Sequence, residues 1–231
     1  MLLKYGSLSW HPLVAGVAPE LRNRVLKRIA LSRAAGFCYF RIPKAANTTI
    51  IMSLLNNMPG NRCAETNIRY AKQSLHGIPA MNEMHRLFTF TFVRHPASRC
   101  LSAFLDKSRA DNLRRTYPCL SGEPGTVNGF RYFLDGLQNG QLTDNMHWAP
   151  QTTILPYDLA RYDFVGKFEN LEADLTVCLV RLFDGTPKIH SAFQHRTDAA
   201  GKVSEYLGKR ERDQIARLYE TDFKAFYPDS K

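Results

Sequence analysis

The segment FCYFRIPKAANTTI, residues 37–50, runs from an apolar stretch through a short loop into a helical pattern. Residues 37–43 follow a glycine and are rich in aromatic side chains, which predicts a central β-strand. A helix is predicted over residues 47–57, where apolar residues recur at helical spacing. The N-terminus of a helix presents backbone N–H groups and the positive end of its dipole. This connection therefore predicts an anion-binding loop.

The side chains of the loop suit the same task. Lys44 supplies a positive charge, and Thr48 and Thr49 place hydroxyl groups on the first turn of the predicted helix. The loop therefore indicates a site for a phosphate-like group. It is not the usual ATP or GTP loop, because that motif requires glycines and a lysine directly before the hydroxyl residue. A capped helix with a surface lysine is the alternative interpretation.

The segment VRHPASRCLSAF, residues 93–104, carries a second set of candidate anion ligands. An apolar run predicts a strand that ends at Arg94, and a helix is predicted to begin near Pro96. Arg99 and Ser102 are three residues apart and would share a face of that helix. Ligands of open α/β sheets bind at the carboxyl edge, so these groups predict a second phosphate site. Two such sites suit a nucleotide with phosphates at both ends of its ribose.

Strands alternate with helices along the remaining sequence. A short strand is predicted within residues 162–170, and the predicted helices include residues 127–137, 171–183 and 204–226. This alternation predicts an α/β fold, a single domain with a central parallel β-sheet flanked by helices.

The predicted domain spans residues 36–231 and follows an N-terminal extension, residues 1–35, with a basic helix over residues 21–33. A solvated surface helix and a helix that contacts anionic lipid are both compatible with the charge of that segment.

Composition narrows the classes of partner. Lysine and arginine number 31 against 21 acidic residues, a formal charge of +10 that favours polyanionic partners or serves solubility. The five cysteines form no CxxC pair, which argues against a zinc site or a disulfide framework and favours a reducing compartment. No apolar run is long enough for a membrane span, and the N-terminus is a poor secretory signal. We therefore expect a cytoplasmic location and no integral membrane segment.

The ordered set of motifs resembles the PAPS-dependent sulfotransferases. RIPKAANTTI is similar to their 5′-phosphosulfate loop, and VRHPASRCLSAF is similar to their 3′-phosphate motif with its Arg–x4–Arg–x2–Ser spacing. Within that class the sequence resembles the carbohydrate group of chondroitin and dermatan 4-O-sulfotransferases and the HNK-1 sulfotransferase. NMHWAPQ, YDFVGKFENLEADL and LYETDFKAFYP are similar to later blocks of that group. The membrane anchor and disulfides of its Golgi members are not visible, which indicates a soluble, bacterial member.

The resemblance implies a P-loop-like sulfotransferase fold and transfer of a sulfuryl group from PAPS to a carbohydrate hydroxyl. The product of the donor is 3′,5′-ADP, and no metal is required. Lys44 would neutralise the departing phosphate, while Thr48, Thr49 and the loop amides from Ala45 to Thr48 would hold the 5′-phosphate. The implied donor-binding loop comprises Pro43, Lys44, Ala45, Ala46, Asn47, Thr48 and Thr49.

The 3′-phosphate would be held by Arg94 and Ser102. Arg99 is either a further ligand or a structural residue that pairs with an acid. Near the C-terminus, Arg196 and Lys202 are candidates for a basic loop over the 3′-phosphate, with a solvated loop as the alternative.

A hydroxyl acceptor needs a general base, and a histidine or carboxylate is the usual choice. His76 lies between the two motifs, and His147 lies in a block shared with the carbohydrate group. Glu83 is a further candidate, whereas strand alternation would point His95 away from Arg94. The neighbouring Trp148 is expected either to stack on a sugar ring or to lie in the core.

Three other functions remain open from the sequence. A kinase with an atypical phosphate loop would need an acidic Mg²⁺ ligand at a strand end, and neither of the two motif-bearing strands ends in one. A basic module that binds acidic glycan or nucleic acid would bind with strong salt dependence and no preference for PAPS. A sulfotransferase that binds its donor without turnover is the third. We expect a carbohydrate or other hydroxyl acceptor and no nucleic acid partner.

Overall fold

The computed structural model describes residues 10–59, 68–190 and 199–230. These residues divide into two compact units. Unit 1 contains the described residues up to 93 together with residues 153–190, and unit 2 contains residues 94–152 together with residues 199–230. The predicted boundary at residue 35 is a different division and stays a prediction.

Unit 1 is built on a four-stranded sheet. Its strands are β1 (Ile29–Ser32), β2 (Phe37–Phe40), β3 (Phe88–Val93) and β4 (Phe164–Lys167). They lie in the order β1-β2-β3-β4, with β1 antiparallel to β2 and the other neighbours parallel. A mostly parallel sheet flanked by helices confirms the predicted α/β class and the central position of β2.

Eleven α-helices occur in the described parts of the chain. They are α1 (Pro19–Leu26), α2 (Asn47–Asn57), α3 (Ile68–Ser74), α4 (Pro96–Lys107), α5 (Asp111–Thr116), α6 (Val127–Gly136), α7 (Gln151–Ile154), α8 (Leu171–Leu182), α9 (Val203–Tyr206), α10 (Lys209–Leu218) and α11 (Glu220–Phe226).

Burial explains why the strands of unit 1 are rich in aromatic residues. Tyr39 of β2 stacks on Phe90 of β3 with ring centroids 4.9 Å apart, and Phe92 lies edge-on to Tyr39 at 6.4 Å. Apolar side chains of α2 and α8 complete this core. The buried members from these two helices are Ile50, Ile51, Met52, Leu54, Leu55, Leu175, Cys178 and Leu179. The predicted apolar stripe of α2 is thereby confirmed.

Unit 2 has its own apolar core around α4 and α6. Phe104 contacts Phe130 and Phe133 with ring centroids 5.4 and 5.6 Å apart. The fully buried Trp148 meets the edge of Phe133 at 5.6 Å. Aromatic pairs of this kind add stabilisation beyond the area that they bury.

Two predicted helices differ from the structure. The N-terminal helix ends at Leu26, and part of the remaining segment forms β1, because its apolar residues pair with β2 instead of continuing the helical stripe. The predicted C-terminal helix is three helices. Helix α10 begins after Gly208, whose N–H donates to the Glu211 carboxylate at 2.9 Å. The backbone of Tyr219 is non-helical and separates α10 from α11.

Four cysteines of the described chain are buried and unpaired: Cys38, Cys100, Cys119 and Cys178. Burial raises the pKa of Cys100, Cys119 and Cys178 to about 12, so these thiols stay protonated and inert at neutral pH. These four cysteines are therefore core residues. Among the same residues, no helix combines the length and apolar character that a membrane span requires.

Gly166 of β4 is a position where only glycine fits without moving a neighbouring side chain. A Cβ atom there would lie 2.4 Å from the ring of Phe92 on β3. We expect Gly166→Ala to destabilise the protein by about 1–3 kcal/mol, because the buried ring must shift in a packed core. Urea unfolding measures the difference. Gly16→Ala is the matched control, since its Cβ would meet its nearest described neighbour at 3.8 Å. Equal stability of both variants would contradict the packing explanation.

Candidate functional site

The loop between β2 and α2 has an unusual backbone. Lys44 has a φ of 70° and Ala46 has a φ of 56°, both in the left-handed region that residues other than glycine rarely adopt. The Ala45 N–H donates to the carbonyl of Ile42 at 3.3 Å and closes the turn. Turns that contain left-handed residues direct successive N–H groups toward one point, the arrangement of anion-binding nests. The loop therefore has the backbone of a phosphate-binding turn.

The first turn of α2 extends this set of donors. Asn47, Thr48 and Thr49 occupy the turn in which backbone N–H groups have no acceptor within the helix. Ala46 stands at the N-cap and offers no side-chain cap, and no acidic residue lies in the first turn. The helix dipole and these amides both favour an anion. Lys44 and the two threonines are half-buried around the same turn.

Two side-chain hydrogen bonds fix this turn within unit 1. The Tyr39 hydroxyl donates to Oδ1 of Asn47 at 3.0 Å, and burial raises the pKa of Tyr39, so the donor stays protonated. Lys72 of α3 donates from Nζ to Oγ1 of Thr48 at 3.2 Å. Sequence reasoning missed Lys72, because it lies in a polar stretch without a recognisable motif. The hydroxyl of Thr48 is therefore held from a second helix.

Arg94 is the first residue after β3 and belongs to unit 2. Hydrogen bonds to its backbone hold it in place. Gln151 accepts the Arg94 N–H at 2.9 Å and donates its Nε2 to the Arg94 carbonyl at 2.8 Å. Asp222 of α11 accepts the Gln151 backbone N–H at 2.8 Å and its Nε2 at 3.2 Å. Gln151 and Asp222 are both fully buried. Neither was singled out from the sequence, since each is separated from Arg94 by more than fifty residues.

The side chain of Arg94 is directed by the following helix. Its Nε donates to Oγ of Ser98 at 3.0 Å, and Ser98 donates to the His95 carbonyl at 3.1 Å. Ser98 and the predicted Ser102 are four residues apart on α4, and both are buried, so they share a face of the helix. Sequence reasoning missed Ser98, although its spacing from Ser102 was a usable signal.

Arg99 is a structural residue. It is fully buried and donates to the backbone carbonyls of Ala149 at 2.8 Å and Met146 at 2.9 Å. The expected hydrogen-bond partner was an acid, but carbonyl groups take that role. Burial lowers the pKa of Arg99, and the charge of Asp222 opposes this shift. Arg99 therefore anchors the segment that carries His147.

His147 is oriented by its own loop. Oδ1 of Asn145 accepts the His147 backbone N–H at 3.1 Å and lies 2.7 Å from Nδ1 of the ring. An oxygen that contacts Nδ1 selects the tautomer protonated there, which leaves the lone pair on Nε2. This is the state that a general base requires.

His76 lies in unit 1 beside the sheet. It forms a β-bridge with Ala30 of β1, and its Nε2 is buried without a hydrogen-bond partner among the described residues. A buried polar atom of this kind calls for a functional or solvent partner. The structure leaves His76 and His147 as separate candidates in different units.

Three other candidates are assigned to structural roles. Glu83 accepts hydrogen bonds from Nε and Nη2 of Arg33 at 2.9 and 2.8 Å, and this contact lowers the pKa of Glu83, so Glu83 is a poor general base. Trp148 is fully buried and donates its Nε1 to the Gln141 carbonyl at 2.9 Å, which makes the sugar-stacking interpretation wrong. His95 packs against the aromatic rings of Phe223 and Tyr227 in the C-terminal segment.

The remaining predicted residues lie near the C-terminus. Lys202 is half-buried and stands directly before α9, whereas Arg196 lies outside the described residues. Within residues 10–59, 68–190 and 199–230, no group of three histidine, cysteine or acidic side chains could hold a metal ion. Lys44, Arg94 and Lys202 are the basic side chains predicted for the two phosphate sites that lie within the described residues.

Comparison with known families gives a match over most of the chain. Residues 27–228 match the model of the sulfotransferase family. This span includes the loop after β2, Arg94, both candidate histidines and the Gln151–Asp222 pair.

Curated relatives match at lower identity. Carbohydrate sulfotransferase 14 of Danio rerio is 28% identical over 79% of this chain and 55% of its own length. Carbohydrate sulfotransferase 9 of Homo sapiens is 28% identical over 96% of this chain and 56% of its own length. The chain thus spans about half the length of these relatives. Its match to carbohydrate sulfotransferase 12 of Mus musculus covers 44% of that protein's length. No solved structure matches the chain.

Asp222 provides a test of the buried network. We expect Asp222→Asn to destabilise the protein by about 2–4 kcal/mol, because the new NH₂ group would face N–H donors from Gln151 or Thr152. Thermal and urea unfolding measure the loss. Asp213→Asn on the exposed face of α10 is the matched control and should be neutral. A D222N variant as stable as D213N would show that the network is dispensable.

Proposed function

Because this chain belongs to the sulfotransferase family, we propose that it transfers a sulfuryl group from PAPS to a hydroxyl of a carbohydrate acceptor. The observation that carries the proposal is the loop after β2, where left-handed Lys44 and Ala46 lead into an uncapped helix. A carbohydrate acceptor is supported by the relatives, which are named as carbohydrate sulfotransferases. The cytoplasmic location stays a prediction.

The loop residues bind the 5′ end of the donor in this proposal. PAPS supplies the sulfuryl group and leaves as 3′,5′-ADP. The N–H groups of Asn47, Thr48 and Thr49 and the two threonine hydroxyls bind the 5′-phosphate, as the uncapped turn favours. Lys44 neutralises the charge that develops on the departing phosphate, a task that needs positioned positive charge rather than a metal. Pro43 and the Ala45 N–H shape the loop.

Arg94 binds the 3′-phosphate together with Ser102. The hydrogen bond from Nε of Arg94 to Ser98 orients the guanidinium, and the Gln151 amide holds its backbone. Lys202 and Arg196 are assigned to the same phosphate as a closing basic segment.

One histidine removes the proton of the acceptor hydroxyl. Asn145 leaves the lone pair of His147 on Nε2, which supports His147 in this role. His76 stays an alternative, because its buried Nε2 has no hydrogen-bond partner in the described parts of the chain. Proton removal by a positioned base contributes about 10²–10⁴-fold to the rate.

The residues that directly follow β2 and β3 argue against a kinase function. Arg41 follows β2 and Arg94 follows β3, where a kinase would place an acidic Mg²⁺ ligand. A polyanion-binding module would not require the paired left-handed residues before α2. Both alternatives predict that a 3′-phosphate makes no difference to nucleotide affinity.

Calorimetric titration with 3′,5′-ADP and 5′-AMP tests the donor class. We expect tight binding of 3′,5′-ADP and much weaker binding of 5′-AMP. Arg94→Ala should weaken 3′,5′-ADP binding by about 30-fold or more, since a buried charged partner of the phosphate is lost. Lys44→Ala should also weaken 3′,5′-ADP binding, because it removes a positive charge beside the 5′-phosphate. The control Arg217→Ala, an exposed arginine of α10, should leave affinity unchanged. Equal affinity for the two nucleotides would remove the sulfotransferase proposal.

Transfer from labelled PAPS to a carbohydrate panel identifies the base. Changing the histidine that acts as base to glutamine should lower kcat by about 10²–10⁴-fold and leave the affinity for 3′,5′-ADP unchanged. We expect this result for His147→Gln. If His76→Gln instead gives the loss, the base is His76. If neither variant slows transfer, neither His147 nor His76 is the base.

A further inference from the structure

We propose that Arg28, Arg41 and Lys72 of unit 1, here called the basic cluster, form an oxyanion-binding subsite beside the loop after β2. The ligand is a sulfate, phosphate or carboxylate group. The existence of the subsite does not depend on the proposed function. Only the source of its natural ligand rests on that function.

Lys72 connects the basic cluster to the phosphate-binding turn. Its Nζ lies 3.2 Å from Oγ1 of Thr48, and the residue is half-buried. Burial, and then the positive charges of Arg41 and Arg28, lower the pKa of Lys72. A lysine that is held among other cations is stabilised when an anion binds among them.

Arg41 is held in place by backbone carbonyls and not by an acid. It is buried, and its guanidinium donates to the carbonyl of Arg28 and, at 3.2 Å, to the carbonyl of Lys27. Because Arg41 is the residue that follows β2, these contacts set its charge at the carboxyl edge of the sheet. A guanidinium in that position is pre-organised for an oxyanion.

Arg28 contributes the third charge. It directly precedes β1, whose antiparallel pairing places Ile29 opposite Phe40 at the end of β2. Burial and the charges of Arg41 and Arg24 lower the pKa of Arg28 to about 10. It forms no ion pair with the described acidic residues.

The basic cluster lacks a compensating acid in the described parts of the chain. None of the ion pairs between described residues includes Arg28, Arg41 or Lys72. Buried charge without a partner is costly, and proteins usually place it beside an opposite charge. An exchangeable anion supplies that charge, which is why we assign a ligand to the basic cluster.

The candidate base His76 adjoins this region. His76 bridges to Ala30, two residues after Arg28, and Lys72 precedes His76 by four residues. Two sources of the oxyanion therefore fit the site. One is the sulfuryl end of the donor, and the other is an acidic group on the acceptor.

Inorganic sulfate is the first probe, titrated at constant ionic strength against chloride. Wild-type protein should bind sulfate, and Lys72→Gln and Arg28→Gln should each weaken binding by about tenfold or more. Lys27→Gln removes an exposed charge of the adjacent residue and should leave binding unchanged. Thermal unfolding without sulfate verifies that all variants are folded. Wild-type sulfate affinity in both K72Q and R28Q, or an equal loss in K27Q, would overturn the proposal.

A second titration separates the basic cluster from the loop. With saturating 3′,5′-ADP, whose 5′-phosphate fills the loop, sulfate should still bind, and K72Q should weaken that binding by about tenfold or more. Complete competition between sulfate and 3′,5′-ADP would overturn a separate subsite. If 3′,5′-ADP fails to bind at all, the proposed function is lost, whereas the nucleotide-free titration still tests the basic cluster.

Measurements on donor and acceptor then identify which of the two carries the oxyanion. If the oxyanion is the sulfuryl group, R28Q, whose residue does not contact the loop in the described structure, should weaken PAPS binding and leave 3′,5′-ADP affinity unchanged. If it belongs to the acceptor, both nucleotide affinities stay unchanged, and KM rises for acidic acceptors but not for neutral ones. Unchanged PAPS affinity together with unchanged KM for every acceptor would overturn a role of the basic cluster in the reaction.

Discussion

The turn between β2 and α2 is the constraint on which the functional architecture depends. The chain must leave a buried strand and enter a buried helix within a few residues, and it does so through left-handed Lys44 and Ala46. Each left-handed residue with a side chain costs about 1–2 kcal/mol. The buried cores of β2 and α2 and the hydrogen bond between Tyr39 and Asn47 hold the turn in this conformation. Strain of this kind is compatible with stability because packing on both sides determines the path of the backbone.

The fold was largely predictable because its signals are local. Aromatic strands, the apolar stripe of α2 and a proline at the start of α4 each depend on neighbouring residues alone. The errors arose where tertiary contacts decide. Residues 29–32 continue a helical pattern in sequence, yet they pair with β2. The C-terminal amphipathic pattern runs on past Gly208 and Tyr219, where a side-chain cap and a non-helical residue interrupt the helix.

The candidate site was predictable only in part, for a related reason. The candidate phosphate-loop residues and Arg94 stand next to strand ends, so sequence spacing alone singles them out as candidates. Gln151 and Asp222 act on Arg94 from distant parts of the sequence, and Lys72 reaches Thr48 from a helix with no motif. Such partners are fixed by folding and leave no short-range pattern. Arg99 shows the converse, because its motif spacing left its role open and the folded structure places it against backbone carbonyls.

The antiparallel direction of β1 has a consequence for the boundaries of the protein. Because β1 runs against β2, its beginning lies at the carboxyl end of β2, and the residues just before it reach the edge of the sheet that carries Arg41. A shortened protein that starts at residue 36 would lose Arg28 and leave the backbone of β2 exposed for pairing with other chains. Residues 28–32 thus belong to unit 1, and their removal is expected to combine loss of the proposed oxyanion subsite with a tendency to aggregate.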